Sequence, residues 1–262
     1  MTHRANDERV TVASELHGAW LRPERGREGR AALLLHGFAD DMNAVGGLTE
    51  RLAHALAERG VASLRINFRG EGDRARTDIE STFDTRVEDT ESALRWLVAQ
   101  PGVEASRVGA VGWCLGATTA IVTAAKHPTW FRSMVAWASP AGDQWAELSA
   151  SPPGQQALRD GVGYEEVPGW KTIRTKREFY ESFRGVNVST ALEGYPGAFL
   201  SVRGTSDEFP VDEVAFINHA RGEPRESVLI GGMDHVFSVF ETDSPHPARA
   251  VAVTVDWLLR TL

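Results

Sequence analysis

The chain has 262 residues, 42% of them hydrophobic, which suits one large α/β domain without forcing two. Lys and Arg number 28 against 36 Asp and Glu, a net charge of −8, and no basic stretch stands out, so nucleic acid is not expected as a partner. A single cysteine excludes an intrachain disulfide framework. The polar start (MTHRANDERV) lacks a signal-peptide core and no apolar run reaches membrane-spanning length, so a cytoplasmic protein away from membranes is expected.

In chain order, Val10 to Leu21 reads as one or two strands ending at Pro23, followed by a charged turn (ERGREGR). Ala31 to His36 is a short apolar run of the kind found in buried strands. Leu48 to Arg59 is amphipathic and helical, with Gly60 as its stop. Val61 to Phe68 is the next strand. Asp84 to Gln100 is a helix with Val87, Ala93, Leu94 and Leu97 at helical spacing and Pro101-Gly102 beyond it. Arg107 to Gly112 is a strand, Ala117 to Lys126 a helix, and Ser133 to Trp137 a strand. After a long break come a strand (Ala198–Arg203), a helix (Val211–Arg221), a strand (Ser227–Ile230) and a terminal helix (Pro247–Leu262). Strands alternating with helices imply a mostly parallel sheet covered on both faces.

The break, Asp143 to Pro196, shows no clear strand and one helix around Lys176 to Arg184. It carries Ser151-Pro152-Pro153-Gly154, Gly161-Val162-Gly163 and Pro168-Gly169. An excursion of this length in a compact domain is read as a lid or binding element. The expected organisation is a core of residues 1–142 and 197–262 with a lid or cap insertion at 143–196. Asn187-Val188-Ser189 matches a glycosylation sequon and is taken as incidental.

The most informative stretch is Gly112-Trp113-Cys114-Leu115-Gly116. It has the spacing of a nucleophile elbow, in which a strained strand-to-helix turn presents the central side chain. Glycine is needed where a Cβ would strike the neighbouring strand or helix. A lone buried cysteine between two incidental glycines is the plainer alternative. The downstream pattern weighs against it. A nucleophile needs a base, and the base an orienting acid. Asp207 follows the strand at Ala198–Arg203, and His235 follows the strand at Ser227–Ile230. Both fall at the strand C-termini, the edge where open α/β sheets build their sites. Cys114 is therefore the expected nucleophile, His235 the base and Asp207 the acid that holds its tautomer. His36, His219 and His246, with Glu208 and Asp234, are the rival acids and bases. The two oxyanion-hole donors are expected from the backbone N–H of Leu115, after the nucleophile, and of Phe38, after the Ala31–His36 strand.

Asn67 to Asp73 is rich in glycine but lacks a phosphate-loop pattern, and no His/Cys/Asp/Glu cluster has metal-ligand spacing, so neither a cofactor nor a metal is expected. Trp137, Trp145 and Trp170 lie near or in the insertion. Core packing is their default role, with Trp145 and Trp137 the candidates for an aromatic wall against an acyl group.

The segments LLLHGF (33–38), INFRGEGDR (66–74), VGWCLGA (111–117), VRGTSDEFP (202–210) and GGMDHVF (231–237) together resemble the α/β-hydrolase superfamily. The stretch KREFYESFRGVNVSTAL (176–192) is similar to esterases and aminopeptidase-like hydrolases of the cinnamoyl-esterase kind, which use serine. The elbow WCLGA is similar to the dienelactone hydrolases, which use cysteine. The resemblance implies the α/β-hydrolase fold and a small-molecule acyl substrate, with homodimerisation left open. A thiol suits activated acyl groups such as thioesters, enol lactones and aryl esters, because it attacks easily but competes poorly with an alkoxide as the group retained. Three readings stand: a hydrolase of esters, lactones or thioesters working through a Cys-His-Asp triad, an acyltransferase or cyclase with the same nucleophile, and a non-catalytic ligand-binding α/β-hydrolase fold. A cysteine standing in place of a native serine is compatible with each.

Overall fold

A computed structural model describes residues 7–23, 29–72, 76–167 and 171–262. Trp170, Pro168-Gly169, most of the charged turn after Pro23 and the last two residues of INFRGEGDR lie outside the described residues.

The chain opens with an antiparallel pair, β1 (Glu8–Ala13) and β2 (Leu16–Leu21), followed by β3 (Ala31–Leu35), α1 (Leu48–Glu58) and β4 (Ala62–Asn67). A two-residue strand, β5 (Asp78–Ile79), precedes α2 (Phe83–Val98). Then come β6 (Val108–Trp113), α3 (Leu115–Lys126) and β7 (Ser133–Trp137). The inserted stretch holds α4 (Gln144–Ala150), α5 (Pro152–Asp160), β8 (Val162–Val167), β9 (Lys171–Lys176), α6 (Arg177–Glu181) and α7 (Val188–Glu193). The chain closes with β10 (Ala198–Gly204), α8 (Glu213–Ile217), β11 (Arg225–Ile230) and α9 (His246–Thr261).

Eight strands form one sheet in the order β1-β2-β4-β3-β6-β7-β10-β11. The pairs from β4 through β11 are parallel, and β2 joins β4 antiparallel. This is the α/β-hydrolase architecture, a mostly parallel sheet flanked by helices, as the alternation of elements implied. Strands sandwiched this way read as continuous apolar runs because both faces are covered. Successive side chains still divide by face. Leu33, Leu35, Ala110, Met134 and Ala136 pack under α2 and α3, whereas Leu34, Val111, Val135 and Trp137 pack under α1 and α9.

Helix boundaries follow from capping. Thr82 and Thr85 form a reciprocal cap at the start of α2, the Thr82 hydroxyl accepting from the Thr85 N–H at 3.2 Å and the Thr85 hydroxyl from the Thr82 N–H at 2.9 Å. The helix expected at Val211–Arg221 shrinks to Glu213–Ile217, starting where the Asp212 carboxylate accepts from Ala215 N–H.

The insertion differs most from expectation. It contains a β-hairpin where no strand was read, β8 pairing with β9 in the register Val162↔Lys176. β5 adds in parallel to β9, so a second, three-stranded sheet β5-β9-β8 ties the insertion to the loop after β4. Only two inward positions in β9, Ile173 and Thr175, are buried, so the alternating pattern was too short to read. Ser151-Pro152-Pro153 starts α5: the Ser151 hydroxyl caps Gly154 N–H at 3.2 Å and the prolines occupy the first turn, where their missing N–H costs nothing. Asn187 of the sequon caps α7 through its amide oxygen on Thr190 N–H. α7 itself packs Val188 and Leu192 into the main core beside α3. Among the described residues, no helix is long and apolar enough to cross a membrane.

α3 and β3 approach each other closely. A Cβ at Gly116 would lie 2.3 Å from the Leu35 carbonyl oxygen and 2.6 Å from that of His36. Gly116→Ala is therefore expected to lower unfolding free energy by about 1–3 kcal/mol as the helix is pushed off the sheet. Urea denaturation checks this, and an unchanged midpoint would contradict the tight contact.

Candidate active site

Cys114 sits between the end of β6 and the first residue of α3, with φ 51° and ψ −119°. A non-glycine residue with positive φ persists only where its surroundings impose it, at a cost of about 1–3 kcal/mol. Two features impose it. The Cys114 N–H donates to Trp137 O at 2.8 Å and Ala117 N–H donates to Cys114 O at 2.9 Å, fixing the turn from both sides. A Cβ on Gly112 would lie 2.4 Å from the Gly116 carbonyl carbon, so the turn closes only with glycine at that position. The thiol is free and half-buried.

His235 lies in the turn after β11 and is nearly buried. Its Nδ1–H donates to Asp207 Oδ1 at 3.0 Å. Its ring also lies within electrostatic reach of Cys114. The structure thus brings the three sequence-selected side chains together. Burial by itself lowers the His235 pKa, but its charge interaction with Cys114 and its hydrogen bond to Asp207 outweigh it and push it up to about 10. Asp207 is held below the ordinary carboxylate value: burial would raise it, and the hydrogen bonds from His235 and from Phe209 N–H at 3.0 Å, with the charges of His235 and Arg203, lower it.

Several supporting groups were not singled out in the sequence. Arg203, at the end of β10, reaches Asp207 Oδ2 at 2.5 Å and Glu213 Oε1 at 2.6 Å, and also donates to Ser139 O. It is a buried cation joining two carboxylates, and its only sequence signal is its place four residues before the acid. The Trp113 indole N–H donates to His235 O at 3.1 Å, and His235 N–H donates to Glu208 Oε2 at 3.3 Å, so the histidine's backbone is anchored to the elbow strand and the acid's loop. Phe209 stacks edge-on to the His235 ring at 4.8 Å.

The rival histidines lie elsewhere. His246 Nδ1 bonds the Ser238 hydroxyl at 3.0 Å, and His219 Nδ1 bonds Glu193 at 2.8 Å. His36 is fully buried, and burial lowers its pKa first and foremost. Its Nε2 accepts from Phe68 N–H at 3.2 Å, so the neutral ring carries its proton on Nδ1 and donates it to Gly37 O at 2.7 Å.

The two candidate oxyanion donors adjoin Cys114, Leu115 in sequence and Phe38 through Gly37, whose Cβ would lie 3.5 Å from the Cys114 Cβ. Leu115 begins α3, and Phe38 follows β3 through Gly37, whose Cβ would meet the Trp113 ring at 2.8 Å. Among the described residues, neither the Leu115 nor the Phe38 amide has a hydrogen-bond acceptor. The Phe38 loop rests on a fully buried ion pair. Arg86 meets Glu71 at 2.5 Å and donates to His36 O at 2.8 Å, while Glu71 accepts from Ala39 N–H at 2.8 Å and from the Ser81 hydroxyl at 2.6 Å. Loss of either partner strands the other charge at a cost of about 3–5 kcal/mol.

The two tryptophans differ. Trp145 is half-buried on α4, beside a cluster holding Leu115, Phe179 and Phe183, with Arg184 stacked 3.7 Å from its ring. Trp137 does not face an acyl group: it is 0% exposed, packs against Phe237 under α9, and gives its indole N–H to Thr254 at 2.8 Å. The sequence placed it at a strand end without showing which face it occupies. One group of side chains with metal-ligand spacing does form, Asp7, Glu50 and His54 within 4.8 Å of one another. Glu50 and His54 lie one turn apart on α1, but Asp7 is distant in sequence, and the buried guanidinium of Arg65 already pairs with Asp7 there.

A strained residue between a buried parallel strand and a helix, beside an acid after β10 and a histidine after β11, defines an enzyme of the α/β-hydrolase superfamily. Residues 27–171, more than half of the chain, match the family of serine aminopeptidases, S33, and the chain belongs to that family. Position 114 is cysteine where the family's name specifies serine. No curated sequence matches the chain. Among solved structures, Est1E from Butyrivibrio proteoclasticus is similar at TM-score 0.73, with 14% identity over 97% of this chain and 98% of that one. The α/β-hydrolase GrgF from Penicillium sp. sh18 is similar at 0.72, with 18% identity over 98% of each chain. Dienelactone hydrolase from Anabaena variabilis is similar at 0.64, with 15% identity over 99% of this chain and 100% of that one.

The raised His235 value has a direct check. The imidazole is expected to keep its proton from neutral pH up to about 10, and to lose it at clearly lower pH in Cys114→Ala, where the thiolate charge is gone. NMR titration of the ring measures both, and an unshifted midpoint in Cys114→Ala would contradict the thiolate–imidazolium pairing.

Proposed function

We propose that the chain hydrolyses ester, lactone or thioester bonds with Cys114 as nucleophile, His235 as acid and base, and Asp207 as its orienting partner. The observation that carries this is the single histidine bonded to Asp207 through Nδ1 and close enough to Cys114 for the two charges to interact, with the cysteine backbone held at positive φ.

In this reading the Cys114 thiolate attacks the acyl carbon, forming an S–C bond and moving the carbonyl electron pair onto oxygen. The Leu115 and Phe38 N–H groups receive that charge, aided by the N-terminal end of α3. His235, protonated at neutral pH, gives its proton to the departing oxygen or sulfur as the bond to the acyl carbon breaks. The product of this half is a thioester on Cys114 and a neutral alcohol or thiol. Water, losing a proton to His235, then attacks the thioester, and the acid leaves as the thiolate is restored. Asp207, itself held ionised by Arg203, keeps the ring oriented and stabilises the imidazolium throughout.

The substrate class follows from the nucleophile and its surroundings. A thiolate is expelled more readily than an alkoxide, so activated acyl groups favour the forward step. The Phe38 and Phe179 rings, 4.9 Å apart, and Leu115 form an apolar, aromatic border beside the oxyanion loop, which suits an apolar or aryl acyl group. Est1E, which shares the fold, has been solved with ferulic acid bound.

With 4-nitrophenyl acetate, a burst of nitrophenol equal to the enzyme concentration is expected, followed by slower turnover. Cys114→Ala is expected to abolish the burst, and Asp207→Asn to lower the acylation rate by up to about 10⁴-fold. Full burst amplitude in Cys114→Ala would overturn the assignment. Addition of amines or alcohols separates hydrolysis from acyl transfer: the acid as sole product supports hydrolysis, and acylated acceptor supports the transferase reading.

A further inference from the structure

The loop carrying Phe38 is held at every peptide from His36 to Asp40. Arg86 donates to His36 O at 2.8 Å, and His36 Nδ1–H donates to Gly37 O at 2.7 Å. Ala39 N–H donates to Glu71 at 2.8 Å. Ala39 O accepts from the ammonium of Lys171 at 3.0 Å, and the same ammonium reaches Arg76 O at 2.8 Å. Ala39 itself has φ +55°, a conformation that needs outside support. The first three bonds come from the core. The fourth comes from the insertion, since Lys171 is the first residue of β9. The approach of β9 is reinforced by apolar contact among Ala39, Ile79 and Ile173 and by the pairing of Asp78 with Arg174 and of Ile79 with Thr175.

We propose that Lys171 of the insertion and the buried Glu71–Arg86 pair are positioning residues for the oxyanion hole, gripping the Phe38–Ala39 backbone from opposite sides. The inference rests on the function proposed above. The insertion is then a structural part of the catalytic centre: its hairpin sets the direction of the Phe38 N–H through Ala39. Lys171 acts through the backbone and touches no reacting atom. Its removal slows the step that builds negative charge on the acyl oxygen and leaves other chemistry of the thiol unchanged. A donor loses its effect steeply when misdirected, because full removal of one costs about 10²–10³ in rate.

The test compares two reactions of Cys114 in the full-length protein. Acylation by 4-nitrophenyl acetate passes through an oxyanion, whereas alkylation by iodoacetamide displaces iodide at a saturated carbon and needs no oxyanion hole. In Lys171→Met the limiting acylation rate constant is expected to fall about 10-fold, with the half-saturating ester concentration within about two-fold of wild type and the alkylation rate unchanged. Lys171→Gln is expected to fall in the same sense. Unchanged acylation in both variants would overturn the proposal. A parallel fall of acylation and alkylation would also overturn it, since it would mean a general disturbance of the thiol or of the fold. A rise confined to the half-saturating concentration would overturn it in favour of substrate binding. Wild-type enzyme that is alkylated but never acylated would overturn the proposed function and this role together.

Discussion

The contact between the start of α3 and the end of β3 is the constraint on which the site depends. Gly116 brings the helix backbone to within van der Waals reach of the Leu35 and His36 carbonyls, closer than any side chain would permit. With the helix that close, the residue linking it to β6 has no room for ordinary backbone angles, and Cys114 takes the strained conformation that lifts its thiol above the sheet edge. The same proximity sets Leu115 N–H and the loop after β3 beside Cys114. A wider spacing would relax the cysteine and separate the two candidate donors together.

Around this steric centre the electrostatics are arranged in buried pairs. Asp207 stays ionised in a nearly buried position because Arg203 and His235 both face it. Glu71 and Arg86, with side chains shut off from solvent, hold the loop after β3 through backbone bonds to Ala39 and His36. Burial pulls two histidines in the same direction, yet they end apart. His36, with a backbone donor on Nε2, has its pKa lowered, and His235, between Asp207 and Cys114, has its pKa raised. The difference lies in the partners each ring meets.

Most of the core and the grouping of Cys114, Asp207 and His235 could be read from the sequence because each rests on local pattern. Apolar runs of five or six residues mark strands buried on two faces, and each site residue follows a strand end. What escaped was set by tertiary contact. The β8–β9 hairpin gains its order from pairing with β5, some 90 residues earlier in the chain. α4 and α5 are short helices started by the caps Asp143 and Ser151, with too few apolar positions for periodicity to show. Trp137 was placed correctly on its strand but its face was decided by α9, which closes over it. Arg203, Arg86 and Glu71 look like ordinary surface charges in sequence, and only the fold reveals that they are enclosed.

The central claim is that Cys114 carries the acyl group. Intact mass spectrometry after brief exposure to a panel of activated acyl donors, followed by peptide mapping, measures this directly. The account predicts a single acyl adduct on Cys114 that disappears with time as water releases the acid, and no adduct in Cys114→Ala. Turnover of the same donors without any adduct on Cys114, or with an adduct at another residue, would contradict it.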